Sequence, residues 1–288
     1  MTKYFEALGG RRLAYQDTGG DGPAVLCLAG LTRNARDFAG LAAHLAIRYR
    51  VLRIDSRGRG LSEWADDPVA EYTVPIEAGD ALALLDHLEI ARAAIIGTSR
   101  GGVLGMILGA TASAGMSCLV LNDIGPVVEP QGLAGIMDFL GIEPRADSFE
   151  AAAAGLERAM GAAFPDLTAK QWLGFARTIY RDEGGRPRLS YDPRLRQAVG
   201  AAMQAAKQAG ASDLWGFFDA LAGLPILTIR GENSDILSAE TLAETARRRP
   251  DMDHVTVANR GHVPFLDEPE ALAAIDTFLE NHAKCQDQ

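Results

Sequence analysis

The stretch that decides the fold is IIGTSRGG, Ile95–Gly102, in which a single serine stands among three glycines. β-Branched residues lead into Gly97, and the long apolar residues of VLGMIL resume directly after Gly102. A short β-branched run is typical of a strand, whereas the apolar spacing that follows is typical of a helix. The stretch therefore predicts a strand that ends near Gly97, a helix that begins near Arg100, and a crowded corner at Ser99.

Short apolar runs recur along the chain and predict a mostly parallel sheet. They are nearly continuous rather than alternating, which indicates strands that are buried on both faces. Helical stripes lie between the runs, two of them behind Pro75 and Pro269. Alternation of strand and helix predicts the α/β class, with helices flanking the sheet. Ahead of it, the segment around Gly9–Gly10 predicts an antiparallel hairpin. The runs are Ala24–Leu28, Val51–Ile54, Ala93–Ile96, Cys118–Leu121, Ile226–Ile229 and Val255–Val257.

The alternation stops between residues 126 and 212, where the sequence is rich in alanine and has no apolar strand run. A structureless loop of that length is implausible within a compact domain, so the segment predicts a helical insertion. We expect a core domain made of residues 1–125 and 213–288, with a helical domain at 126–212 between its two parts.

Composition restricts the classes of partner. The 288 residues are 48% hydrophobic and carry a formal net charge of −10. An acidic chain without basic blocks predicts no nucleic-acid partner and no anionic membrane. The absence of an initial apolar leader and of an apolar run of roughly 20 residues predicts a cytoplasmic protein. No HExxH, CxxC or Walker lysine is present, which predicts no metal and no cofactor. Cys27 and Cys118 are expected to be buried thiols, whereas Cys285 lies near the tail.

A serine hydroxyl is a poor nucleophile unless a neighbouring base, such as histidine, removes its proton. His262 follows the last predicted strand in a glycine-containing loop, at the edge of the sheet where Ser99 is expected. It is therefore the base that the sequence favours. Four other histidines are placed on flanking helices, at the opposite end of a strand or near the terminus: His44, His87, His254 and His282.

The imidazole in turn needs a carboxylate that fixes its tautomer and stabilises its charged form. Glu232 and Asp235 come just after one predicted strand, and Asp123 comes just after the preceding one. We favour Asp235, because the turn-forming GENSD sequence can project it toward the last loop. Asp123 is the alternative.

At this point the chain resembles the α/β-hydrolase family. The motif Gly97-Thr98-Ser99-Arg100-Gly101 matches that family's G-x-S-x-G nucleophile elbow, and the order nucleophile, acid, base is also the family's. DSRGRGLS, Asp55–Ser62, is similar to the family's loop after the fourth strand. The glycine pattern GRG within it lacks the third glycine of a dinucleotide fingerprint.

The resemblance implies an α/β-hydrolase fold with a helical cap, residues 126–212, inserted after the sixth strand. It also implies an oxyanion hole made of the backbone amides of Leu31 and Arg100. Many relatives carry His-Gly where this chain has Ala29-Gly30.

A cation in the first turn of a helix opposes the helix dipole, so the side chain of Arg100 needs an explanation. We consider an ion pair between Arg100 and Asp123, or a solvated arginine.

The activity implied is hydrolysis of a small-molecule carboxylic ester through an acyl-enzyme, with no cofactor. Hydrolysis of lactones, thioesters or carbon–carbon bonds remains an alternative, as do a slowly turning-over ligand receptor and a non-catalytic scaffold. Ser99 argues against the epoxide and halide chemistry of family members with an aspartate nucleophile. The sequence does not determine the oligomeric state.

Overall fold

The computed structural model describes residues 1–210 and 213–284 and contains a central eight-stranded sheet. The expected domain boundary at residue 212 and Cys285 lie outside the described residues. Ten strands are found there: β1 (Thr2–Glu6), β2 (Arg12–Asp17), β3 (Ala24–Leu28), β4 (Arg50–Ile54), β5 (Ala93–Thr98), β6 (Met116–Asn122), β7 (Tyr180–Glu183), β8 (Arg186–Leu189), β9 (Ile226–Gly231) and β10 (Asp253–Val257).

The strands of the main sheet follow the order β1-β2-β4-β3-β5-β6-β9-β10. β1 and β2 form the antiparallel hairpin predicted around Gly9–Gly10, and β2 also pairs antiparallel with β4. Every other pairing in this sheet is parallel, which confirms the predicted class. Leu28, Gly97 and Leu121 lie side by side in the register of β3, β5 and β6. The carboxyl ends of these strands therefore meet at one edge.

Helices cover both faces of the sheet, as strands buried on both sides require. Leu26 and Ile95 pack toward one hydrophobic cluster, and Cys27 and Ile96 pack toward the other. The helices are α1 (Ala39–Leu45), α2 (Pro68–Glu71), α3 (Val74–His87), α4 (Arg100–Thr111), α5 (Pro130–Phe139), α6 (Phe149–Met160), α7 (Ala169–Ile179), α8 (Leu195–Gln208), α9 (Trp215–Asp219), α10 (Ala239–Arg248) and α11 (Pro269–His282).

The segment between β6 and β9 is not purely helical, which corrects the sequence interpretation. Helices α5 to α8 are present, but β7 and β8 form an antiparallel hairpin between α7 and α8. Its turn is Gly184-Gly185, both with positive φ, a conformation that glycine adopts readily. The strands escaped prediction because β7 is charged and largely exposed, so it has no apolar run.

Cys27 and Cys118 are free thiols buried in β3 and β6, as the sequence predicted. Burial raises the pKa of both thiols to about 12. No helix within residues 1–210 or 213–284 combines the length and the apolar composition needed to cross a bilayer.

Candidate active site

Ser99 occupies a left-handed backbone conformation at the corner between β5 and α4, with φ 51° and ψ −116°. Such a conformation costs a non-glycine residue about 1–3 kcal/mol, and it persists only where the surroundings enforce it. The Ser99 amide donates to the carbonyl oxygen of Asn122 at 2.9 Å, which ties the corner to the end of β6. The hydroxyl is thus held at the carboxyl edge of the sheet, where parallel sheets bind ligands.

Two glycines make this corner possible by removing side chains from a close backbone approach. A Cβ atom on Gly101 would lie 1.9 Å from the carbonyl oxygen of Leu28. A Cβ atom on Gly97 would lie 2.4 Å from the carbonyl oxygen of Gly101. Both obstacles are backbone atoms, which cannot rotate away as a flexible side chain can. The crowding predicted around Ser99 is therefore real, and it explains the glycine spacing of the motif.

His262 lies between Ser99 and a buried carboxylate. Its Nε2 atom is 2.9 Å from Ser99 Oγ, and its Nδ1 atom is 2.7 Å from Asp123 Oδ2. The imidazole is half-buried, whereas the Asp123 side chain has no exposed surface. With Nδ1 protonated and donating to Asp123, Nε2 is left free to accept the serine proton. The structure thus brings together two of the sequence-selected residues, Ser99 and His262, in one hydrogen-bonded series.

The carboxylate in this series is Asp123, the alternative in the sequence analysis, and not the favoured Asp235. Asp123 also has a left-handed backbone, with φ 55°. Its Oδ1 accepts the amide of Gly231 at 2.8 Å, and its Oδ2 accepts the hydroxyl of Ser234 at 2.6 Å. These hydrogen bonds fix the carboxylate against His262.

Asp235 is exposed because the GENSD turn projects its neighbour inward instead. The Ser234 hydroxyl oxygen accepts the backbone amides of Ile236 and Leu237, in addition to donating to Asp123. These three contacts point Ser234 toward the site and leave the next side chain facing solvent. The sequence identified the correct turn, but it assigned the contact to the wrong residue of that turn.

The Leu31 and Arg100 amides, the expected oxyanion donors, lie on the two loops that flank Ser99. A Cβ atom built on Gly30 would be 3.7 Å from Ser99 Cβ, so the loop after β3 reaches the serine. The Gly30 carbonyl accepts the Arg33 amide at 3.1 Å, and in a planar trans peptide the Leu31 N–H then points the opposite way. Within residues 1–210 and 213–284, neither amide makes a hydrogen bond to another residue. Both are thus available to a ligand oxygen.

The Arg100 side chain pairs with Glu77 of α3, so the expected ion pair with Asp123 is wrong, and so is the solvated alternative. Arg100 Nε and Glu77 Oε2 are 2.8 Å apart. The other carboxylate oxygen of Glu77 accepts Arg59 Nη1 at 2.9 Å. Arg59 Nε in turn donates to the carbonyl oxygen of Leu31 at 2.9 Å. One buried carboxylate therefore connects both residues that carry the expected oxyanion donors.

The electrostatics of this cluster depend on Glu77 being ionised. Burial alone would raise the pKa of the Glu77 carboxyl, but the positive charges of Arg100 and Arg59 hold it below its ordinary value. Burial also lowers the pKa of Arg59, which its contact with Glu77 partly offsets. Two arginines and one carboxylate leave an excess positive charge behind the expected oxyanion hole, where negative charge develops during acyl transfer.

A cavity of about 330 Å³ opens at the carboxyl ends of β5 and β6, although Ser99, His262 and Asp123, the candidate triad, do not themselves line it. Thr98, Asn122 and Val263, each adjacent in sequence to one of these three residues, form part of its wall. Phe175 of α7 and Arg33 of the loop after β3 also line it. Within the described part of the chain, His, Cys, Asp and Glu side chains form no group of three that could hold a metal ion.

Several residues of this site were missed from sequence. Ser234 and Glu77 act through partners distant in the chain, and nothing in their own segments distinguishes them from a turn residue or a helix residue. Arg33 carried a weak signal, since it follows a strand at the ligand edge two residues after Leu31.

Comparison with known proteins agrees with this fold. The model of the alpha/beta hydrolase family matches residues 25–275, which is most of the chain. The chain belongs to the alpha/beta hydrolase family.

Three relatives of this alpha/beta hydrolase are similar over nearly their full length. The 3-hydroxybutyrate-oligomer hydrolase of Cupriavidus necator is 36% identical over 274 residues, covering 93% of this chain and 92% of that protein. The 2-(acetamidomethylene)succinate hydrolase of Mesorhizobium japonicum is 31% identical over 265 residues, covering 91% and 89%. A crystal structure of an alpha/beta hydrolase from Novosphingobium aromaticivorans superimposes with a TM-score of 0.87 at 41% identity, covering 97% of this chain and 98% of that one.

Proposed function

We propose that this alpha/beta hydrolase cleaves carboxylic esters through an acyl-enzyme intermediate. Ser99 is the nucleophile, His262 the general base and acid, and Asp123 the residue that orients the imidazole. The observation that carries the proposal is the series of contacts from Ser99 Oγ to His262 Nε2, 2.9 Å, and from His262 Nδ1 to Asp123 Oδ2, 2.7 Å. Both distances are within the range that direct proton transfer and a charge-assisted hydrogen bond require.

The reaction proceeds in two halves. Ser99 Oγ attacks the ester carbonyl carbon while its proton passes to His262 Nε2, and the carbonyl oxygen becomes an oxyanion held by the Leu31 and Arg100 amides. The tetrahedral intermediate collapses, the C–O bond to the alcohol breaks, and His262 returns its proton to the leaving oxygen. Water then attacks the acyl-serine by the same route, which releases the carboxylic acid and restores Ser99.

The relatives support an ester substrate. A 3-hydroxybutyrate oligomer is a polyester, and the hydrolase of Cupriavidus necator is named for it. The second relative is named as the hydrolase of a substituted succinate. The geometry of this site fits attack on any activated carbonyl. A lactone and a thioester should therefore be tested beside a simple ester.

We also propose that residues 126–212 form a cap over the site. Phe164, from the loop between α6 and α7, stacks on Phe265 at 5.5 Å between ring centroids. Asp166 of the same loop pairs with Arg260, and Asn233 donates to the carbonyl oxygen of Ala163 at 3.2 Å. These contacts join the inserted segment to the two loops that carry Ser234 and His262. A segment attached there limits which substrates reach the serine.

The test is steady-state hydrolysis of p-nitrophenyl butyrate, a simple lactone and a butyryl thioester by the wild type and by Ser99→Ala. We expect sustained ester turnover that Ser99→Ala lowers by at least about 10⁴-fold, the scale seen when a serine nucleophile is removed. The matched control is Ser113→Ala, an exposed serine beyond α4, which should leave activity unchanged. Release of one equivalent followed by a stall would indicate a receptor instead, and full activity in Ser99→Ala would exclude the proposed nucleophile.

A further inference from the structure

The cavity that Thr98 lines, next to the nucleophile in sequence, also has the guanidinium group of Arg33 in its wall. A Cβ atom built on Gly30 would lie 3.3 Å from Arg33 Cγ and 3.7 Å from Ser99 Cβ, so the arginine stem and the serine flank the same point. Arg33 lines the cavity, whose volume of about 330 Å³ is at the small end of ligand sites. These two distances place the Arg33 stem within at most about 7 Å of the Ser99 side chain, so one small molecule can contact both residues.

The guanidinium group of Arg33 is hydrogen-bonded through Nε, whereas Nη1 and Nη2 face no partner within the described residues. Its Nε donates to Asp37 Oδ2 at 2.5 Å, and its guanidinium lies over the ring of Phe175, with Cζ 4.7 Å from the centroid. Within residues 1–210 and 213–284, neither Nη1 nor Nη2 has a hydrogen-bond partner. A planar guanidinium stacked on an aromatic ring, with its outer N–H groups unused, presents a fork that matches the two oxygens of a carboxylate.

The neighbouring Arg36 differs from Arg33, because its guanidinium is largely engaged. Its nitrogens donate to neutral oxygens of Asn34, Tyr180 and Ser190 and to the carbonyl of Arg177. No described carboxylate lies within ion-pair distance of Arg36, although Asp55 and Asp37 are near enough to stabilise its charge. Four of its five N–H groups are used within the described residues, so it offers a ligand fewer donors than Arg33 does.

Acidic side chains also line the cavity. Asp37 is paired with Arg33, and its second carboxylate oxygen, Oδ1, is buried without a partner. Asp267 also lines the cavity, but it is exposed to solvent, where its charge is screened. An anionic group in the cavity would therefore be recognised mainly by the unused N–H groups of Arg33.

We propose that Arg33 binds a free carboxylate group of the substrate, and that the enzyme prefers esters that carry such a group to their neutral counterparts. The inference rests on the proposed ester hydrolysis and adds the chemical class of the substrate. The carboxylate accepts hydrogen bonds from Arg33 Nη1 and Nη2 while the ester carbonyl lies at Ser99. Arg33 is a specificity-determining residue in this arrangement and takes no part in bond breaking.

The experiment compares two substrates that differ at one carboxyl group: the linear dimer of 3-hydroxybutyrate with its free carboxylate, and the same dimer with that group converted to a neutral methyl ester. We measure kcat/KM for cleavage of the internal ester in the wild type, Arg33→Gln and Arg33→Lys. The ratio of kcat/KM values for the two substrates cancels the fraction of active protein, so partial misfolding of a variant does not affect it.

We expect Arg33→Gln to lower kcat/KM for the acid by about tenfold to a hundredfold, the scale of a lost charge-assisted hydrogen bond, mainly through KM. Activity on the methyl ester should change by no more than about twofold. Arg33→Lys should restore part of the preference, since it keeps the charge and loses the fork. The control is Arg12→Gln, which removes a guanidinium that lies over Tyr4, outside the cavity.

Equal losses on both substrates, or no loss on either, would overturn the role of Arg33 while leaving ester hydrolysis intact. A wild type that cleaves neither dimer nor p-nitrophenyl butyrate would overturn the proposed function, and this inference with it. Cleavage of p-nitrophenyl butyrate but of neither dimer would overturn this inference alone. A Ser99-dependent enzyme that favours the methyl ester would contradict the inference alone.

Discussion

Replacement of Asp123 by asparagine tests the residue on which sequence and structure differ. The side chain keeps its shape, so its Oδ1 can still accept the amide of Gly231. Its new NH₂ group, however, faces His262 Nδ1, which sits 2.7 Å from Oδ2 in the wild type. Nδ1 must then accept a hydrogen bond, which moves the imidazole proton to Nε2. The nitrogen that should take the proton of Ser99 already carries one.

The size of the effect follows from the lost charge. Imidazolium and carboxylate centres about 4 Å apart interact with about 4 kcal/mol at an effective dielectric constant of about 20. At about 1.4 kcal/mol for each factor of ten, this corresponds to a rate loss of about 10³. The inverted tautomer of His262 increases this rate loss further. In a serine protease, the same replacement of the triad aspartate by asparagine lowers kcat by about 10⁴. We therefore expect kcat of Asp123→Asn to fall by about 10³ to 10⁴.

The assay is hydrolysis of p-nitrophenyl butyrate at pH 7.5, with thermal unfolding measured on the same samples to confirm folding. Asp235→Asn is the matched control, because it makes the identical change in the exposed carboxylate of the neighbouring turn. It should alter kcat by less than about twofold. The reasoning is refuted if Asp123→Asn keeps more than a tenth of wild-type kcat, or if Asp235→Asn produces the thousandfold loss.

Three further predictions concern stability, measured by urea unfolding. Gly101→Ala should lower the free energy of unfolding by about 3 kcal/mol or prevent folding, because its Cβ would lie 1.9 Å from the Leu28 carbonyl oxygen. The control is Gly135→Ala, whose Cβ would meet nothing within 4 Å, and it should be neutral or slightly stabilising. Glu77→Gln should lose about 3–5 kcal/mol, since it leaves two arginines around a neutral amide, and an unchanged unfolding midpoint would contradict this. Burial alone would raise the pKa of Asp17, but hydrogen bonds from Arg50, the Gly19 amide and Lys3 lower it to about 2. The stability that the ionised Asp17 adds to the fold is therefore present above about pH 4 and is lost as pH falls toward 2. Asp17→Asn should therefore be less stable than the wild type at pH 7, with a difference that shrinks across that window.

The Ser99 corner and the first hairpin could be predicted from sequence, because residues close to each of them in the chain determine their backbone conformation. The Ser99 corner was predictable because the backbone contacts that exclude side chains involve Gly97 and Gly101, within two residues of it. The first hairpin was predictable from Gly9–Gly10. His262 could be selected by position, since the other histidines lie on elements that face away from the ligand edge.

The acid could not be chosen from sequence because Asp123 and Asp235 both follow strands that end at the same edge. What distinguishes them is backbone conformation: Asp123 has φ 55°, which turns its carboxylate toward His262 and the Gly231 amide. No residue type near Asp123 demands that angle. The partner of Arg100 was missed for a related reason, because Glu77 reaches it only through the packing of α3 beside α4.

The proposed catalysis depends on an activated hydroxyl at Ser99. Mapping the residue that a fluorophosphonate modifies tests this requirement most directly. Trypsin cleavage after Arg92 and Arg100 yields the peptide Ala93–Arg100, in which fragmentation distinguishes Ser99 from Thr98. We predict a single adduct on Ser99 in the wild type and a labelling rate at least about a hundredfold lower in His262→Ala. An adduct on another residue, or an unchanged labelling rate in His262→Ala, would contradict the account.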